Sequence, residues 1–232
     1  ELYQEILGIF EALGDKRSRA VALGDIAQIR AHKGEVDAAL KLHQEELAVY
    51  EELGDKRSRA VALGDIARLR ADKGEVDAAL ELYQEILGIF EALGDKRSRA
   101  VTLGDIARLR AAKGEVDVAL KLHQERLAVN EELGNMEAIA NTLWSLAQIE
   151  LRQQKLKEAL EHLNQSYQIV SRLGRLDGIC SVGLDLGQFL CAAGQRDEGL
   201  KVLGRSRDGF QKLGRPDQAR QTQELMDKVA SA

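Results

Sequence analysis

The residues of this chain best suited to chemistry fall on short lines. Val61, Asp65, Arg68 and Asp72 stand at offsets of zero, four, seven and eleven, and side chains spaced in this way share one face of an α-helix. The line recurs as Val21, Asp25, Gln28 and His32 and as Val101, Asp105, Arg108 and Ala112, with Gly24, Gly64 and Gly104 beside it. A fourth version carries Trp144 and Gln148, flanked by Asn141 and Ser145. Carboxylates accept hydrogen bonds and guanidinium groups donate them, so these lines offer recognition of a partner rather than bond making. No GxSxG elbow, HExxH helix or phosphate-binding glycine loop occurs, and nothing pairs a nucleophile with a base, so no enzyme activity is expected. His32, His43, His123 and His162 lack paired metal-ligand spacing, and neither a metal nor a cofactor is expected.

The copies can be compared with one another. Between these otherwise near-identical helices the differences fall mainly on Gln28/Arg68/Arg108 and His32/Asp72/Ala112, with milder changes at Ile29/Leu69/Leu109 and Ala22/Ala62/Thr102. One reading is a shared scaffold with a few varied contact positions; the other is helix-surface ion pairing, worth a few tenths of a kcal/mol per pair, on a face that simply drifts. Trp144 is open to two accounts as well, an anchor in a groove or packing beneath the neighbouring unit. Gly64 and its copies suit either close approach of a ligand or close packing of helices.

Something must hold these lines in register, and the sequence supplies it by repetition. The segment GDKRSRAVALGDIA occurs at Gly14–Ala27 and Gly54–Ala67, and again at Gly94–Ala107 with Thr102 as its one change. A forty-residue period marks a stack of units, none able to bury its apolar face alone. Gly54-Asp55 and its copies end one helix and cap the next, and Gly34, Gly74 and Gly114 end the other. Val76, Ala79, Leu80, Tyr83, Ile86, Leu87 and Phe90 have the three-and-four spacing of a buried helix face. The fold class predicted is all-α, a solenoid of tandem helix-turn-helix units: a partial first unit over 1–14, then 15–54, 55–94, 95–134, 135–174 and 175–213, and a capping helix over 214–232. Twelve helices follow, the first near Glu1–Leu13 and the last near Arg215–Ala230. Gln154 stands where the turn glycine belongs, so the fourth turn is predicted to be the least ideal.

The net charge of -5 argues against nucleic acid as partner, and the Lys56-Arg57-Ser58-Arg59 band and its copies read as a solvated face balanced by acidic neighbours. No apolar run reaches the roughly 18 residues of a membrane span, and no secretory signal is present, so no membrane contact and a cytoplasmic location are expected. Cys180 and Cys191 would lie about 16 Å apart on one helix, too far for a disulfide. Because the chain opens at Glu1 in mid-repeat, the native protein is expected to continue upstream.

With Leu63, Ile66-Ala67, Gly74, Ala79 and Tyr83 in order, the unit resembles the tetratricopeptide repeat (TPR). Its period of forty resembles the long repeats of kinesin light chain, of spindle-orientation adaptors, and of sensor regions in bacterial signal-transducing ATPases such as the maltose regulator. The resemblance implies a right-handed superhelix whose first helices line a concave groove receiving a peptide or protein segment, within a larger signalling or regulatory protein of bacterial type. Asp25, Asp65 and Asp105 resemble the asparagine with which kinesin-light-chain-like repeats hold a peptide backbone. A small-ligand sensor controlling an upstream ATPase or DNA-binding region is the alternative. Arg30, Arg70 and Arg110 depart from the family's tyrosine before the turn glycine. The initial half-repeat should leave Leu2, Ile6, Ile9 and Phe10 without a first-helix partner, and self-association through that helix is expected.

Overall fold

The computed structural model describes residues 2–231, and the side chains of all of these except Leu2 and Gln4. Among the described residues there are twelve helices and no strand: α1 Leu2–Ala12, α2 Lys16–His32, α3 Val36–Glu52, α4 Lys56–Asp72, α5 Val76–Leu93, α6 Lys96–Ala112, α7 Val116–Glu132, α8 Met136–Arg152, α9 Leu156–Arg172, α10 Leu176–Ala192, α11 Arg196–Lys212 and α12 Pro216–Ser231. The helices form two compact units that divide between Glu115 and Val116. Within each, every helix packs on the next in the chain.

In the first three copies one aspartate joins each second helix to the following first helix, and Asn135 does so before α8. The Asp55 N–H bonds the Tyr50 carbonyl at 3.0 Å, closing α3, and Asp55 Oδ1 accepts from the Ser58 N–H at 3.0 Å, opening α4. Asp95 does the same between α5 and α6. Bonds from the Ser58 and Ser98 N–H groups hold the carboxyls of Asp55 and Asp95 below the usual range. The glycines between them take the left-handed conformation that leaves the last carbonyls satisfied, Gly94 at φ 65°. Gln154 makes the same turn at φ 59° without being glycine.

The helix lines meet through small residues. Ala20, Ala27, Ala39, Ala60, Ala67, Ala79, Ala100 and Ala107 are all buried, which lets helices approach closely while Leu63, Ile66, Leu80, Tyr83, Ile86 and Phe90 fill the space between. Residues 1–20 and 81–100 are identical in sequence yet differ in burial. Tyr83 and Ile86 are 4% and 2% exposed, whereas Tyr3 and Ile6 are 41% and 39% exposed. The reason is packing: α5 lies between α4 and α6, whereas α1 packs chiefly on α2. Ile9 is exposed too, Phe10 is half-buried, and the side chain of Leu2 falls outside the described residues.

Ion pairs tie neighbouring copies. Arg17 meets Asp55 at 3.0 Å and Arg57 meets Asp95 at 3.1 Å, so the basic band is matched by the next cap. Lys73 reaches back to Asp37 at 2.8 Å, and Lys113 reaches Asp77 in the same way. Arg30, Arg70 and Arg110 each pair across their own turn with Glu35, Glu75 and Glu115, so a charged pair stands where the family's tyrosine would. Cys180 and Cys191 are free thiols on α10, and burial pushes both above the usual thiol range. Among the described residues no helix is long and apolar enough to cross a membrane.

Candidate functional site

In the first unit the predicted lines run along α2, α4 and α6. Val21, Val61 and Val101 are each about half exposed. Arg68 pairs with Asp65 along the helix, and Arg108 pairs with Asp105 at 3.4 Å. Gln28 replaces the arginine in the first copy, so Asp25 has no such partner and stands exposed.

Two cavities open side by side along this face. The first, of about 520 Å³, is lined by Gln28, Ala31 and His32 of α2, Val36 and His43 of α3, and Asp65, Arg68, Leu69 and Asp72 of α4. The second, of about 220 Å³, lies between α4, α5 and α6, with Val61, Gly64, Tyr83, Ile86, Phe90 and Val101 among its walls. Asp65 and Arg68 line both cavities, so this ion pair stands between them. Asp105 lines the second, Arg108 neither. Asp25 belongs to a third cavity of about 530 Å³, walled by Tyr3, Ile6, Phe10, Val21 and Ile26.

The two adjoining cavities differ in chemistry because their floors come from second helices. Beneath the first, His43 is buried with its Nδ1 2.8 Å from Glu46 Oε2. A carboxylate only accepts, so Nδ1 carries a proton and donates it to Glu46. Beneath the second, Tyr83 and Ile86 occupy the same two slots. Burial, aided by the charge of Asp105, pushes the Tyr83 phenol up to about 12, so it remains a neutral donor.

Reading first helices alone misses His43, Glu46, Tyr83, Ile86 and Phe90. A signal for them does exist in the copies. Where the first helix has Gly24 or Gly64, the second offers the large Glu46 or Ile86; where the first has Trp144 or Leu184, the second offers Ser166 or Ser206. Size on one helix is traded against size on the other.

In the second unit Trp144 is half-buried against Leu163, Val182 and Leu186, and its Nε1 donates to Asp185 Oδ2 at 2.7 Å. Gln148 Nε2 donates to the same oxygen at 3.2 Å. The indole therefore packs under α10 and keeps only part of its surface for a partner. His162 bonds Glu150 at 2.7 Å, and the buried His123 leaves Nδ1 without a hydrogen bond. Among the described residues no group of three or more His, Cys, Asp or Glu side chains is placed to hold a metal ion.

The repeat geometry agrees with the family model of the tetratricopeptide repeat, which matches residues 18–92, 58–132 and 98–172 in overlapping registers. The chain belongs to the tetratricopeptide repeat family. No curated protein sequence matches it. Among solved structures, this TPR chain is similar to the nearly identical TPR-like repeats of a protein from Podospora anserina assigned as a kinesin light chain (23% identity, 86% of this chain and 98% of that one, TM-score 0.67). It is also similar to aspartyl phosphate phosphatase F from Bacillus subtilis (11% identity, 99% and 64%, TM-score 0.73). A third is the Rap conjugation gene regulator of plasmid pLS20 in complex with the Phr* peptide (12% identity, 90% and 57%, TM-score 0.70). At these identities the likeness is one of fold.

Proposed function

We propose that this TPR array is a binding module rather than an enzyme, and that the face carrying α2, α4 and α6 receives an extended peptide or protein segment. One observation carries the reading: a cavity of mixed polar lining and a mainly apolar one meet at the Asp65–Arg68 pair, on a face where exposed valines and charged side chains recur every forty residues. A continuous strip of alternating apolar and hydrogen-bonding subsites suits an extended chain, whose side chains and backbone groups alternate in the same way. The pLS20 regulator, a protein of similar fold, is seen with a peptide, which supports the reading without extending its ligand to this chain. A place in a larger cytoplasmic signalling protein of bacterial type is part of the proposal.

The test is selection of binders from a library of random linear peptides. Val61→Asp with Val101→Asp, at exposed positions on the wall of the second cavity, should weaken the selected peptides strongly, with stability changed by no more than about 0.5 kcal/mol. Glu45→Ala with Glu85→Ala, on the second helices, should leave binding intact. Equal loss from both pairs would move the site elsewhere.

A second reading, a small-ligand sensor, rests on the apolar cavity of about 530 Å³ at Tyr3, Ile6 and Phe10, a size usual for small-molecule sites. The same exposed side chains of α1 support self-association between copies, which sedimentation over a range of concentrations tests directly.

A further inference from the structure

We propose that the segment bound on this face carries a lysine or arginine side chain seated in the cavity over His43 and, on the far side of the Asp65–Arg68 pair, one aliphatic side chain seated over Ile86. The inference rests on the peptide-binding reading above and specifies its ligand.

The polar cavity brings two carboxylates, Asp65 and Asp72, together with the Gln28 amide, His32 and Arg68, over His43, which is held by Glu46 through Nδ1. The charges do not cancel. Arg68 is matched by Asp65 and Glu46 is bonded to His43, which leaves Asp72 on the wall with no ion pair among the described residues. A basic side chain entering there finds a carboxylate to pair with and acceptors for its remaining N–H groups, whereas an acidic one meets net negative charge. The mainly apolar cavity is a slot of about 220 Å³ bounded by Val61, Ile86, Phe90 and Val101, with Asp65, Arg68 and Asp105 also on its wall. It is smaller than ordinary small-molecule pockets and takes one aliphatic side chain. Its floor stays neutral because the Tyr83 phenol keeps its proton.

The copies fix the register of the ligand. One repeat further along, Gln28, His32, His43 and Asp72 are replaced by Arg68, Asp72, Tyr83 and Ala112. The acceptor set therefore exists once among α2 to α6, and a basic residue has one place to go. Gly64 keeps the apolar slot open: a Cβ there would come no nearer than 3.9 Å to Ile86, so a larger side chain at Gly64 would project into the cavity rather than into the core.

Random linear peptides displayed on phage are the probe. The wild-type chain should enrich sequences with Lys or Arg at one fixed separation from Val, Ile, Leu or Met. His43→Tyr with Glu46→Ile, which copies the floor of the next repeat, combined with Asp72→Asn, should abolish the basic preference and keep the aliphatic one. Gly64→Leu should do the reverse. On the unsubstituted protein, a synthetic consensus peptide with norleucine in place of its basic residue should bind about tenfold more weakly or worse, a comparison that needs no variant to fold. A consensus without a basic residue, or a basic preference that survives the triple variant, overturns the inference and leaves the groove reading standing. Failure of the wild-type chain to enrich any sequence overturns both.

Discussion

Glu46 occupies the space that a side chain on Gly24 would need. A Cβ at Gly24 would lie 2.7 Å from Glu46 Oε1, while the equivalent atom at Gly64 would lie 3.9 Å from Ile86 Cδ1. Two glycines on identical stretches of helix therefore serve different ends. At Gly24 the missing side chain admits a carboxylate; at Gly64 it leaves an open slot.

Alanine distinguishes them. Gly64→Ala should stabilise the first unit by about 0.5–1 kcal/mol, the usual helix advantage of alanine over glycine. Gly24→Ala should gain nothing, because Glu46 has to leave its bond with His43 to make room. Thermal melts of the two variants against the parent check this, and equal rises in Tm would refute it.

The fourth turn makes the same hydrogen bonds as the others, from Gln154 N–H to Leu151 and from Lys155 N–H to Glu150, but with a side chain in the left-handed region. Gln154→Gly should raise stability by about 0.5–1 kcal/mol, the relief of left-handed strain less the entropy that glycine adds to the unfolded chain. Urea melts following the second unit would read the change in midpoint.

His123 is buried, and its desolvation, with Arg126 as a lesser cause, pushes it down to about 4. Its ordinary value in an unfolded chain is about 6.5, so between the two the unfolded state binds more protons and stability falls as pH falls. The loss begins as pH drops through about 6.5 and levels off below about 4. His123→Leu, the residue found at the equivalent positions 163 and 203, should remove this acid sensitivity; an unchanged pH profile of Tm would contradict the assignment.

Asp55→Ala removes the acceptor of the Ser58 N–H and should cost about 1 kcal/mol. Because this carboxyl titrates below its unfolded value, its contribution is present above the unfolded pKa and is lost as pH falls through the folded one. The difference between Asp55→Ala and parent should therefore shrink in acid, which melts at neutral and strongly acidic pH would reveal.

Helices and turns were legible in the sequence because their signals are local: a glycine, an aspartate three residues before the N–H it caps, and an apolar stripe of fixed spacing. The line through Asp65 and Arg68 was legible for the same reason, since both ride one helix. What escaped depends on how two helices rotate against each other. His43 and Tyr83 reach the cavities along α2, α4 and α6 from the second helices, and Asp185 bonds an indole forty-one positions earlier. Arg70 departs from the family's tyrosine. It pairs with Glu75, and five residues apart these side chains meet because the left-handed turn at Gly74 folds the chain back between them.

The ion pairs between copies, Arg17 with Asp55, Arg57 with Asp95, Asp37 with Lys73 and Asp77 with Lys113, are two latches each used twice. Every latch joins a copy to its immediate successor and to nothing farther away. A crossover between copies of the coding sequence would thus insert or delete a forty-residue block and re-form both latches at the new junction. The number of cavities along the face is then open to change by recombination in single steps, while point mutation is left to set the lining of each.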